Sequence, residues 1–81
     1  MRKVSDTEVV GCVGVITVAT RGPQGPGEAH VKVRGGSESF FAWSEEPLAR
    51  GTTVLVVESR GARAVDVVLW PEADPLDALL P

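Results

Sequence analysis

Two runs of β-branched residues with a turn between them constrain the fold of this chain more than any other feature. The runs are Thr52–Val57 and Val65–Leu69, and the segment that separates them is polar and contains Gly61. This pattern predicts a strand, a glycine turn and a returning strand. The first run is apolar on both faces because Val54 to Val57 are all aliphatic. Such a strand is typical of the wall of a small closed barrel or a sandwich.

The second run alternates in polarity. Val65, Val67 and Leu69 share one face, and Asp66 lies on the other. We therefore expect the first three side chains to face the interior and the opposite face to contact water.

The size and composition of the chain exclude several classes of protein. Its 81 residues make one domain, near the lower size limit for a core without disulfides or metal. The single cysteine, Cys12, cannot form an internal disulfide, which favours a reducing compartment or no redox role. The apolar runs are too short to cross a bilayer, and the N-terminus lacks the apolar core of a signal peptide. We expect a soluble, cytoplasmic chain.

Acidic residues are concentrated at the C-terminus. Glu72, Asp74 and Asp77 have no basic residue near them, and without them the chain has eight acidic and eight basic residues. A neutral body argues against electrostatic capture of a nucleic-acid backbone.

The N-terminal region predicts a polar, frayed segment followed by a strand. Residues 1–8 are polar, and Ser5–Glu8 match a helix capping box. The residues that follow are rich in valine and glycine, so we reject a helix and predict a first strand over Val9–Ala19. Gly11 and Gly14 would allow this strand to bend or bulge and serve two sides of a barrel.

The segment 20–27 contains three glycines and two prolines. It has too few Gly-x-y triplets for collagen and lacks the Lys-Ser/Thr pair of a phosphate-binding loop. We predict a solvated loop.

A second hairpin follows this loop. The inward residues of its first strand are Ala29, Val31 and Val33, and Gly35-Gly36 form the turn. On the next strand Phe40 and Ala42 share one face, and Phe41 and Trp43 share the other. One of these two pairs is expected in the core, and the other at an edge or under a loop.

The connection Glu45–Gly51 predicts a tight turn, with Leu48 closing one end of the barrel and Gly51 at positive φ. Together these segments predict an all-β fold, a five-stranded Greek-key barrel of the OB type. The barrel is expected over residues 9–70, between a flexible N-terminus at 1–8 and an acidic tail at 71–81.

The order of these motifs resembles the C-terminal soluble domain of NfeD-like proteins over about residues 9–70. The most specific part is the connection and strand from Pro47 to Val57. The matching positions are Gly11-x-x-Gly14, Gly27, Val31-x-Val33-x-Gly35, Phe40-x-Ala42, Pro47-Leu48-x-x-Gly51-x-x-Val54-x-Val56 and Gly61.

The resemblance implies an OB-fold domain that forms the water-exposed end of a small membrane protein. It also implies partners among flotillin- or stomatin-like membrane scaffold proteins and a role in regulating membrane proteases. Some long members carry a serine protease domain, to which nothing here corresponds. The transmembrane helices of the family are also missing, which leaves open an excised part of a longer protein or a short form. We expect association with the membrane through missing segments or through partners.

One departure from the family pattern concerns the last strand. The family's inward positions, counted from the turn glycine, would be Ala64 and Asp66. An unpaired carboxylate is costly to bury. We therefore expect a turn that is longer by one residue, or a bulge, which restores Val65 and Val67 to the inside.

The candidate catalytic residues do not form a recognisable site. His30 is the only histidine, lies beside Lys32 and Arg34, and has no carboxylate or thiol at a ligand-like spacing. We expect Cys12 to be a buried, inert thiol. The serines lie near turns or strand ends without a triad motif, namely Ser5, Ser37, Ser39, Ser44 and Ser59. We predict a non-enzyme without metal or cofactor.

The alternative function is binding of single-stranded nucleic acid, which OB barrels perform with aromatic and basic side chains. The candidate surface consists of His30, Lys32, Arg34, Phe41 and Trp43. Low aromatic content, a neutral body and a pI of about 5.0 make this function the second choice.

The tail is the other candidate interaction surface. Asp74 and Pro75 suit a helix start, and Leu76, Leu79 and Leu80 follow at helical spacing. One or two helical turns could cover one end of the barrel or dock on another protein. A helix this short is marginal in water, which favours self-packing or disorder over docking.

Overall fold

A computed structural model describes residues 9–71 as a closed barrel of five strands. The strands are β1 (Val13–Val18), β2 (Gly27–Val33), β3 (Gly36–Trp43), β4 (Thr53–Gly61) and β5 (Ala64–Leu69), and a 3-10 turn spans Gly22–Gln24. Their order around the barrel is β1-β2-β3-β5-β4, and β4 pairs with β1 to close it. All pairs are antiparallel except β3 with β5. This topology confirms the predicted OB-type barrel.

The core follows the two-residue period of the strands. On β2, Ala29 and Val31 are fully buried, whereas His30 between them and Lys32 after them are exposed. Residues from every strand fill the barrel, and Leu48 packs partly buried against them, as predicted. The core consists of Val9, Ile16, Ala29, Val31, Phe40, Ala42, Val54, Val56, Val65 and Val67.

Two bulges on β4 set the register of the β4–β5 hairpin. The pairing shifts between Val56 and Glu58, and again between Ser59 and Gly61. Val65 and Val67 are buried, as the sequence analysis predicts, and Asp66 is partly exposed. The predicted inward position of Leu69 is wrong, because this side chain is 59% exposed at the end of β5.

The turn of this hairpin lies one residue beyond the predicted glycine. Gly61 ends β4 with φ of +79°, and the two turn residues are Ala62 and Arg63, with φ of +52° and +60°. A two-residue hairpin turn with positive φ at both positions suits Asn or Gly much better than residues with an ordinary side chain.

We expect Ala62→Asn to raise the free energy of unfolding by about 0.5 kcal/mol, because asparagine tolerates left-handed backbone better than alanine. Urea denaturation followed by circular dichroism measures the change. The control is Ala49→Asn at an exposed position without positive φ, where no gain is expected. An equal gain in both variants would contradict a backbone origin.

The first strand is shorter than predicted. β1 begins at Val13, and Val9 is helical and buried in the core, so the rejection of helix is wrong at this residue. Gly11 has φ of +93°, and its N–H donates to the carbonyl of Val56 over 2.8 Å, which fixes the entry to the barrel. The bulge of β1 lies between Ile16 and Val18 rather than at the glycines.

The loop before β2 is more buried than predicted. Thr20, Gly22 and Gly25 are buried, so the solvated-loop prediction is wrong for these residues, whereas Pro23 and Gln24 are exposed. The frayed segment 1–8 and the tail from residue 72 onward lie outside the described residues. Within residues 9–71, no helix has the length and apolarity needed to cross a membrane.

Candidate functional site

The outer face of β2 and β3 carries most of the predicted polar surface. His30 and Lys32 are exposed and pair in register with Ser39 and Ser37. Both ring nitrogens of His30 lie within hydrogen-bonding distance of serine hydroxyls, Nε2 at 2.8 Å from Ser37 Oγ and Nδ1 at 3.4 Å from Ser39 Oγ. Arg34 is exposed in the turn between the strands. These contacts hold the His30 ring between two serine hydroxyls.

The two aromatic residues of this predicted surface, Phe41 and Trp43, do not form one continuous surface with the polar residues around His30. Phe41 is 50% exposed, but its partner in the register is Glu28, an acid. Trp43 lies beyond the paired part of β2 and pairs with Asp66 of β5. It is four residues from Ser39, about 13 Å along the strand. The structure thus separates Trp43 from the basic residues.

The remaining polar candidates are dispersed. Cys12 is partly buried and packs against the core, so the prediction of a buried thiol holds only in part. Ser44 lies in the connection after β3 and contacts Thr20, far in sequence from His30. Within the part of the chain that the structure describes, no group of three His, Cys, Asp or Glu residues is placed to hold a metal ion.

An open groove of about 620 Å³ lies over the outer face of β3, β5 and β4. A smaller hollow of about 130 Å³ continues it toward the end of β5. We call the two together the lateral groove. It is lined by Pro23, Trp43, Ser44, Glu45, Glu46, Leu48, Val57, Arg60, Asp66, Val67, Val68 and Leu69.

The floor of the lateral groove is largely aliphatic. Val57 is 40% exposed and Val68 is 43% exposed, although both belong to strands with a buried opposite face. Sequence reasoning missed this groove and placed only Trp43 among the site residues. The one indication of the groove in the sequence is the apolar outer face of the Val54–Val57 run. That feature served only to predict the fold.

A cation and an acid occupy one side of the lateral groove. The guanidinium of Arg60 lies 4.6 Å from the centre of the Trp43 ring, and its Nη2 is 2.8 Å from Oδ1 of Asp66. Such stacking holds a cation over an aromatic face. The ion pair neutralises the charges of Arg60 and Asp66, and the guanidinium of Arg60 covers one face of the Trp43 ring.

The other side of the lateral groove is acidic. Glu45 and Glu46 are exposed in the connection after β3 and line the groove. No basic side chain of residues 9–71 lies within ion-pairing distance of either carboxylate. The net charge around the groove is therefore negative.

The leucines of the predicted tail surface, Leu76, Leu79 and Leu80, lie outside the described residues. The chain leaves the barrel at Leu69–Pro71, where Leu69 lines the lateral groove and Trp70 N–H donates to the carbonyl of Thr53.

Comparison with protein families gives one match. The sequence profile described as the NfeD C-terminal domain matches residues 13–68, which span all five strands apart from the final residue of β5. No match was found among curated proteins.

Among solved structures, the chain is similar to the C-terminal domain of stomatin operon partner protein 1510-C from Pyrococcus horikoshii. The sequences are 25% identical, and the TM-score is 0.62. The alignment covers 86% of this chain and 100% of the Pyrococcus domain.

Proposed function

The chain belongs to the NfeD C-terminal domain family, and from this membership we propose that it is a non-catalytic interaction module for a stomatin-like membrane scaffold protein. The observation that carries the proposal is the similarity, over 86% of this chain, to the C-terminal domain of a protein described as a stomatin operon partner. The function lies in protein contact, and the barrel supplies a rigid surface for it.

The architecture supports an interaction role. Aliphatic and aromatic side chains fill the inside of the barrel, so the chemistry of the described residues is displayed on its outer faces. A contiguous apolar and acidic groove on one of these faces is suited to binding a protein surface. The described serine and histidine side chains engage one another or the backbone as structural contacts.

We place the module at the cytoplasmic surface of a membrane. A stomatin-like scaffold would hold it there, as would membrane segments outside the given sequence. Membrane protease systems that such scaffolds accompany are the setting in which the contact would act.

Co-purification tests the proposed function. The tagged chain is co-expressed with the stomatin-like protein of its own source organism, and the membranes are solubilised in mild detergent. We expect the scaffold to be retained with the tagged chain and to elute with it from a sizing column. The control is the untagged chain on the same resin. A scaffold that elutes separately from a folded barrel would contradict the proposal.

A further inference from the structure

We propose that the lateral groove binds a basic amphipathic helix of the partner protein, an inference that rests on the proposed function and assigns its binding face. The groove is formed where β3, β5 and β4 lie side by side, and it is partly open to solvent. Its shape, its apolar floor and its charge each restrict what can bind there.

The topology favours contact through side chains. Along the groove β5 pairs with β4 up to Leu69 and with β3 at residues 64–66. Over that paired stretch a partner cannot add a strand, and the three residues of β5 beyond it leave only a short edge. A helix that lays one apolar face into a groove is the recurring alternative.

The floor of the groove supplies apolar contacts. Val57, Val68 and Leu69 are between 40% and 59% exposed and line the groove together. Burial of such aliphatic side chains is the main source of affinity in helix-in-groove complexes. The stacked ring of Trp43 limits the groove on one side and gives it a rigid wall.

The charges select a basic partner. Arg60 and Asp66 neutralise each other, which leaves Glu45 and Glu46 as the unpaired charges of the groove. In the sequence, the segment that follows Pro71 carries Glu72, Asp74 and Asp77 and no basic residue. Like charge disfavours this tail as the occupant despite its leucines, and a helix with lysine or arginine beside its apolar face is complementary to the groove.

Peptide titration of the full-length chain tests the inference. The probe is a synthetic amphipathic helix of leucine and lysine, and the control probe replaces each lysine with glutamate. We expect the lysine peptide to shift the ¹⁵N–¹H resonances of Glu45, Glu46 and Val68, and we expect the glutamate peptide to shift none of them. Binding should weaken as salt is added, because the charges are exposed.

Matched variants locate the binding face. We expect Val68→Asn to weaken binding of the lysine peptide by about tenfold, since it removes one valine's apolar contact. Phe41→Asn changes an equally exposed apolar residue on the β2–β3 face and should leave binding unchanged. We expect Glu45→Gln to weaken binding by about two- to fivefold, within the range of an exposed ion pair, and Glu28→Gln to have no effect.

Several results would overturn the inference. They are equal binding of both peptides, shifts confined to the β2–β3 face, or an unchanged affinity in both Val68→Asn and Glu45→Gln. Leu69→Asn replaces Val68→Asn if the latter does not fold. Shifts at the groove that depend on protein concentration alone would assign the face to a second copy and would also overturn it.

The same variants separate this inference from the proposed function. If the scaffold co-purifies with Val68→Asn as well as with the parent chain, the groove assignment fails and the proposed function stands. If the scaffold does not co-purify with the parent, the proposed function fails, and the peptide shifts still decide whether the groove binds a basic helix.

Discussion

Replacing Gly27 with alanine is expected to lower the free energy of unfolding by about 3 kcal/mol or more. The added methyl group would clash with neighbouring atoms, and no movement of side chains could make room for it. A Cβ at Gly27 would lie 2.1 Å from the carbonyl oxygen of Val18 and 2.5 Å from that of Ala19. Both neighbours are backbone atoms. β1 and β2 would have to separate at the start of their pairing, where Val18 is opposite Glu28.

Urea denaturation measures this loss, and Gly36→Ala is its matched control. Gly36 starts β3, as Gly27 starts β2, but nothing lies within 4 Å of a Cβ built there. We expect Gly36→Ala to change stability by less than about 0.5 kcal/mol. If Gly27→Ala were as stable as Gly36→Ala, the close approach of Val18 to Gly27 would be wrong.

Gly27 also illustrates what the sequence can predict about this fold. Local alternation identifies the inward residues of β2, which has one apolar face, whereas β3 carries an aromatic residue on each face and only the structure shows that Phe40 and Ala42 point inward. The family resemblance matches a glycine at position 27 but does not explain why the position requires glycine. That reason is the approach of Val18 and Ala19, which depends on how β1 bends, and a bulge one residue earlier or later would change it.

The β4–β5 hairpin shows a second limit. The need to keep Asp66 out of the core predicts a bulge or a longer turn, and the structure has two bulges on β4. The polarity pattern alone does not reveal the number of bulges. Two shifts of one residue leave the same side chains facing inward near the turn as no shift at all. Likewise, Ala62 and Arg63 give no indication in sequence of their positive φ, since the preceding Gly61 is the expected turn residue.

Local sequence patterns could not predict the lateral groove, and the reason is physical. Its lining comes from residues 23, 43–46, 48, 57, 60 and 66–69, which are adjacent only because β3 pairs with β5 in parallel. An apolar side chain on a strand predicts burial, and it does not distinguish the core from an exposed binding surface. The exposed state of Val57 and Val68 requires the closed barrel to be known.

The loop around Thr20 was misread for a different reason. Its glycines and prolines indicate a turn, and turns are usually at the surface. Thr20 is nevertheless only 3% exposed, because this loop packs against the connection between β3 and β4. A threonine gives no sequence indication of whether its hydroxyl contacts water or another loop.

The hydroxyl of Thr20 joins these two connections through a chain of hydrogen bonds. The Leu48 N–H donates to Thr20 Oγ1 over 2.7 Å, and the Ser44 hydroxyl donates to the Glu46 carbonyl over 2.7 Å. Because the hydroxyl proton of Ser44 is used, Thr20 donates to Ser44 Oγ, also over 2.7 Å. The backbone adds a bond from Thr20 N–H to the carbonyl of Leu48.

We expect Thr20→Val to lower the free energy of unfolding by about 2–3 kcal/mol, because the valine matches threonine in shape and leaves the Leu48 N–H without an acceptor in a buried site. Thr20→Ser keeps the hydroxyl and should lose about 1 kcal/mol or less, the value of a buried methyl group. Thr17→Val removes an exposed hydroxyl, bonded at 3.3 Å to the Glu28 carbonyl, and should cost less than about 0.5 kcal/mol.

Amide hydrogen exchange at Leu48 separates this explanation from a general loss of packing. Since the missing acceptor acts first on one N–H, exchange of the Leu48 amide should accelerate in Thr20→Val more than that of amides inside β2 or β5. A uniform acceleration across the barrel would mean that the methyl-for-hydroxyl exchange loosens the whole core. Leu48 packs against the core and lines the lateral groove, so its release would connect the stability of this loop to the binding face.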